Sequence, residues 1–158
     1  HITFEESERI GDEKEALYRE IYRPHIEPVG GLLNLLEAFK QRNIPMAVGT
    51  MGNKANADFT LETLNIRNYF SAVHTAEEVS KGKPDPEIFT TCLKSLNTGA
   101  LEPDELWIFE DTSSGIQAAK NAGGSHIGIL TSKREEELKS SGAIRCVKNY
   151  HEVLKLLY

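Results

Sequence analysis

Thr50, Lys83, Glu110 and Asp111 are the residues of this 158-residue chain whose types and spacing can do chemistry together. The apolar run Leu106, Trp107, Ile108, Phe109 ends in Glu110 and Asp111 and passes through Thr112, Ser113, Ser114 and Gly115 into a run of small residues. Two adjacent carboxylates at the C-terminal end of an apolar strand suit a hard cation such as magnesium, which takes oxygen ligands and keeps places for phosphate and water. That end of a parallel strand is also where ligands of α/β proteins gather. Thr50 follows another apolar run, 44–49, and a hydroxyl at a strand-to-helix turn binds phosphate oxygens with help from nearby N–H groups. Lys83, restricted by Pro84, offers a positive charge to a phosphoryl group and its developing oxyanions. Taken singly, each is ordinary: an acidic turn, a helix cap, a solvated loop lysine. Their order at the ends of successive strands makes them a constellation.

The elements that must hold these residues alternate regularly. A helix is expected over 12–23 with Ala16, Leu17 and Ile21 buried, and Pro24 and Pro28 break it. Gly30 and Gly31 lead into an amphipathic helix with Leu32, Leu35, Leu36 and Phe39 on one face. Strands are expected at 44–49, 72–74, 106–109, 126–130 and 144–147. Helices are expected from Thr50 to about Leu64, along the stripe Phe89, Cys92, Leu93, Leu96, over 115–122, from about Lys133 and from about His151. This rhythm predicts an α/β fold: a Rossmann-like, mostly parallel sheet with helices on both faces.

Composition narrows the function class. An apolar content of 39% with 27% charged residues is that of a globular domain, and a formal charge of −6 lacks the basic stripe a nucleic-acid surface requires. No apolar run approaches a membrane span, so no membrane partner is expected. Cys92 and Cys146 show no C-x-x-C spacing and read as buried thiols of a reducing compartment, which makes the cytoplasm the expected location. His74 and His126 read as structural, without a second His at zinc spacing. Tyr18, Arg19, Tyr22, Arg23 and His25 either form a face over the site or decorate a helix surface.

The motifs resemble those of the haloacid dehalogenase-like hydrolases, in the branch that holds β-phosphoglucomutase and sugar-phosphate phosphatases. The resemblance covers about 28–158. Val48-Gly49-Thr50 looks like the family's phosphate-binding motif, Lys83-Pro84-Asp85-Pro86-Glu87-Ile88-Phe89 like its lysine motif, and Phe109-Glu110-Asp111-Thr112-Ser113-Ser114-Gly115 with the helix after it like its acidic motif. The resemblance implies Asp111 as a magnesium ligand, Glu110 as a second acidic residue at the metal, Lys83 as the charge-stabilising lysine and Thr50 as the phosphate-binding hydroxyl. It further implies a monomer acting on a small phosphorylated metabolite through an aspartyl-phosphate.

The chain departs from the family at one point. The family's first strand ends in D-x-D, whose first Asp attacks phosphorus and whose second acts as acid and base. These 158 residues hold no D-x-D: Asp85 belongs to the lysine motif and Asp104 precedes its strand. The expectation is therefore a fragment with no nucleophile of its own, in which 1–27 is the C-terminal part of a helical cap and 28–158 a core without its first strand. About 50 to 60 residues would be absent, judged from usual element lengths, and the sheet would lack its central strand. The rival expectation is a non-catalytic protein that keeps the phosphate and metal pocket for binding. A nucleotide-binding or receiver-like domain ranks last, for want of a G-x-G-x-x-G or Walker loop.

Overall fold

The strands form two parallel sheets, held together by helices that pack under both. In the computed structural model, which describes residues 2–96, 98–99 and 105–157, β1 (Ala47–Gly49) pairs with β2 (Ala72–His74), while β4 (Ser125–Ile129) lies between β3 (Trp107–Glu110) and β5 (Arg145–Val147). Asp104 falls outside the described residues. Among the described residues seven α-helices accompany the strands: α1 (Phe4–Tyr22), α2 (Leu32–Gln41), α3 (Lys54–Thr63), α4 (Glu87–Ser95), α5 (Ser113–Asn121), α6 (Glu135–Ser140) and α7 (Tyr150–Leu154). The expected α/β architecture with parallel strands and helices on both faces is what the chain adopts.

Alternation along β3 separates the two faces. Phe109 packs with Leu35 of α2, Val153 of α7 and Ile127, Ile129 and Val147 of the sheet; Ile108 packs with Ile88 and Phe89 of α4 and Ala118 and Ala119 of α5. Under β1 and β2, Leu36 of α2 joins Leu61 of α3, with Val48 and Val73 against them. Leu35 and Leu36 are neighbours on one helix yet serve different sheets, so α2 bridges them on one face, as α4 does on the other. Gly31 opens α2 in a left-handed conformation (φ 82°), and a Cβ there would lie 2.4 Å from the His151 amide nitrogen. Only glycine permits that approach, which the Tyr150 amide secures by donating to the Gly30 carbonyl at 2.8 Å.

Helix α1 departs from expectation at both its start and its packing. It begins at Phe4 because Thr3 and Glu6 form a reciprocal capping box, a T-x-x-E signature that the periodicity starting at residue 12 passes over. Ala16, Leu17 and Ile21 are not buried: Leu17 is 54% and Ile21 60% exposed, and no residue of α1 is buried. The helix instead turns its polar side to the rest of the chain. Arg19 donates to Asn56 Oδ1 at 2.7 Å, Asn56 donates to Glu15 at 2.6 Å, and the Arg23 guanidinium lies 4.9 Å from the centre of the Phe59 ring. The thiols follow expectation in part, with Cys92 buried and Cys146 half-buried, both free. Among the described residues, no helix is long and apolar enough to cross a membrane.

Candidate active site

The C-terminal ends of β1 and β3 face one another across a cavity of about 760 Å³, and all four chemistry-bearing residues line it. Thr50 follows β1 directly. Its amide donates to the His74 carbonyl at 3.0 Å, and its Oγ1 accepts from the Gly52 amide at 3.0 Å. It is not the cap of α3: that role belongs to Asn53, whose side chain accepts from the Asn56 amide at 2.8 Å. The Thr50 hydroxyl hydrogen therefore has no acceptor among the described residues and can donate to a ligand.

Lys83 reaches the same cavity from the loop before α4, and it is no solvated loop charge. Its side chain is 11% exposed, its ammonium lies 4.7 Å from the centre of the Phe89 ring, and it donates to the Gly49 carbonyl at 3.4 Å and to Glu110 in a direct ion pair. Lys83 thereby spans the space between the two sheets.

The acidic pair divides its work. Glu110 points inward, its side chain 9% exposed, with Oε1 on Lys83 and Oε2 accepting from the Thr112 hydroxyl at 3.2 Å. Thr112 also caps α5, accepting from the Gly115 amide at 3.0 Å. Asp111 turns toward the end of β4, where Thr131 donates to its Oδ2 and Ser132 to its carbonyl, both at 2.9 Å. Among the described residues no group of three or more His, Cys, Asp or Glu is placed to hold a metal. A hard cation here would have the two adjacent carboxylates as its protein oxygen donors.

Thr131 and Tyr150 are among the cavity-wall residues that the sequence reading did not single out. Thr131 sits just beyond β4, so the strand-end argument used for Thr50 and Asp111 reaches it too. Tyr150 gave no such signal: it opens α7 and comes to the cavity only through the packing of that helix. Burial, reinforced by Asp111 and Glu110, pushes its hydroxyl up to about 12, so it stands as a neutral wall. Burial likewise pushes the Cys92 thiol up to about 11 despite the lowering effect of Lys83, which makes it a packing group and not a nucleophile.

The remaining expected residues fall into place around this centre. His74 is tied on both ring nitrogens, to Glu78 at 2.7 Å and Ser95 at 2.8 Å, and His126 to the Gly124 carbonyl at 2.8 Å. Tyr18 and Lys14 line a second cavity of about 610 Å³ that shares Thr50 and Gly52 with the first. Arg19 and Arg23 engage α3, while Tyr22, stacked on Tyr18 at 5.4 Å, and His25 are exposed.

Known proteins resemble this chain in sequence and in fold. Residues 3–129 match the model of the haloacid dehalogenase-like hydrolases. The phosphorylated carbohydrates phosphatase of Thermotoga maritima is 32% identical over 151 residues, covering 94% of this chain and 66% of that protein. The validoxylamine A 7'-phosphate phosphatase of Streptomyces hygroscopicus subsp. limoneus is 36% identical over 121 residues, covering 77% of this chain and 55% of its own. The chain thus spans between about half and two thirds of these relatives. The crystal structure of β-phosphoglucomutase from Clostridium difficile superposes with a TM-score of 0.79 at 28% identity, over 96% of this chain and 65% of that one. By its motifs, its fold and the extent of the family match, the chain belongs to the haloacid dehalogenase-like hydrolases.

Proposed function

We propose that this chain is the larger part of a magnesium-dependent phosphatase or phosphomutase acting on a small phosphorylated metabolite, a sugar phosphate by analogy with what the relatives' names state. The observation that carries the reading is the convergence of Thr50, Lys83 and Asp111 on one cavity between two parallel sheets. Thr50 donates to a phosphate oxygen, and Lys83 balances the charge that develops on the phosphoryl group. Asp111 and Glu110 are the hard oxygen donors that would hold magnesium, which supplies charge neutralisation at the phosphate. Magnesium needs few protein carboxylates, so this donor set fits it.

The attacking carboxylate of the aspartyl-phosphate route has no counterpart among these 158 residues, and in this reading another part of the protein provides it. The family resemblance would put that residue on a strand between β1 and β3, which belong to separate sheets and whose C-terminal ends line the cavity. Residues 1–27 then belong to a helical cap and 28–158 to the core, in a cytoplasmic, monomeric enzyme. One observation favours a second reading, a binding protein that keeps the pocket without turnover: no D-x-D occurs in the sequence given.

The test is phosphate release from an aryl phosphate and from a panel of sugar phosphates by the complete protein, with and without magnesium. Magnesium-dependent turnover supports the enzyme. Binding of phosphate and magnesium with no turnover supports the binding protein. Turnover by a verified 158-residue chain alone would refute the aspartyl-phosphate route.

A further inference from the structure

Both carboxylate oxygens of Glu110 are engaged, and the carboxylate has little room to turn away. Lys83 holds Oε1 and Thr112 holds Oε2. At its back lies Gly115, where a Cβ would come within 2.0 Å of Oε2 and 2.7 Å of Oε1. The backbone of α5 is thus pressed against the carboxylate on one side, while Lys83 occupies its Oε1. Lys83 is in turn steadied by the Gly49 carbonyl and the Phe89 face, and its largely buried side chain lines the cavity that a phosphoryl group would enter.

We propose that the Lys83 ammonium is a built-in competitor for the metal at Glu110, and that a phosphoryl group relieves the competition by drawing Lys83 to itself. The inference rests on the reading that Asp111 and Glu110 hold magnesium, and it adds a role for Lys83 before any chemistry occurs. With neither ligand bound, the ammonium neutralises Glu110 in a poorly hydrated place where that charge would otherwise be costly. A divalent cation must displace the ammonium to gain Glu110, which weakens metal binding. A phosphoryl dianion gives the displaced ammonium a new partner, so each ligand makes room for the other. Metal and phosphate affinities are then coupled through one side chain, and the coupling is reciprocal.

Lys83→Met keeps the length and apolar stem that pack on Phe89 while deleting the charge, and calorimetric titration of the complete protein with magnesium alone measures the result. Removing the competitor is expected to tighten magnesium binding by about tenfold, the effect of losing one nearby positive charge. The factor by which inorganic phosphate enhances magnesium binding should fall in the variant, since Lys83 no longer transmits it. Lys83→Gln should show the same gain, and it carries the test if the methionine variant does not fold. Wild-type binding with no gain in either folded variant overturns the competition and leaves the metal site standing. Absence of magnesium binding in wild type and variants alike overturns both. Asp111→Asn should abolish binding in the wild-type and Lys83→Met backgrounds, which ties the signal to this site.

Discussion

The two sheets contribute the two halves of the site, but they are not equally anchored. In β1 and β2 every residue is half-buried, whereas β3, β4 and β5 place Ile108, Ile127, Ile129 and Val147 in the interior. The acidic pair stands at the edge of the better-packed sheet, and Thr50 at the edge of the lighter one. Their separation is fixed by α2 and α4, which pack under both sheets, and by Lys83, which reaches from the Gly49 carbonyl to Glu110. A site with exacting geometry can therefore be built on unequal supports when the crossing elements are themselves buried.

The sharpest way to probe this inequality is to disable each half. Asp111→Asn removes a charge from the proposed metal site at nearly constant shape, and on that reading a loss of at least about a hundredfold in magnesium-dependent turnover of the complete protein is expected. Thr50→Val removes one hydrogen bond to a charged group and should cost roughly ten- to a hundredfold. Equal losses would show that the lighter half matters as much as the anchored one, and unchanged turnover in Asp111→Asn would remove it from the metal site.

Stability should follow the same division. Ile88→Ala empties a fully buried position on a bridging helix and should lower stability by about 2 to 5 kcal/mol. Val73→Ala, on half-buried β2, should cost about 1 kcal/mol or less, since only part of the side chain leaves water on folding. Urea melts of the two variants decide the matter, and equal costs would break the comparison. The smallest effect is expected at α1, where Leu17→Ala should change stability by no more than about 0.5 kcal/mol because the side chain is largely exposed. A larger loss on melting would mean that α1 is packed more firmly than its contacts with Asn56 and Phe59 imply.

Much of this was legible from residue patterns. The strand at 72–74 appears with the expected bounds, and the others fall within a few residues, because apolar runs bounded by turn chemistry leave little choice of period. The convergence of Thr50, Glu110 and Asp111 was legible for the same reason, since parallel strands bring their C-terminal ends to one edge, whereas Lys83 comes from a loop nine residues beyond β2. The exposure of Leu17 and Ile21 was not: a pattern shows that a helix has an apolar side but not what stands opposite it. Nor was the division between Glu110 and Asp111, which depends on the close approach of Gly115 and on a lysine 27 residues upstream. Thr131 follows the strand expected at 126–130 as Thr50 follows the one at 44–49, so the same pattern points to it.

The contact of Gly31 with the start of α7 has a further consequence for how the chain comes to fold. Leu35 shares its cluster with Val153, and the Gly30 carbonyl waits for the Tyr150 amide, so α2 finds its final partners at the far end of the sequence. During synthesis α2 leaves the ribosome well before α7 and must remain incompletely covered until α7 has followed it. Such long-range closure slows folding and lengthens the time for which an apolar helix face is open to chaperones. The glycine at position 31, which lets α2 and α7 meet, thus also bears on the moment at which the interior can close.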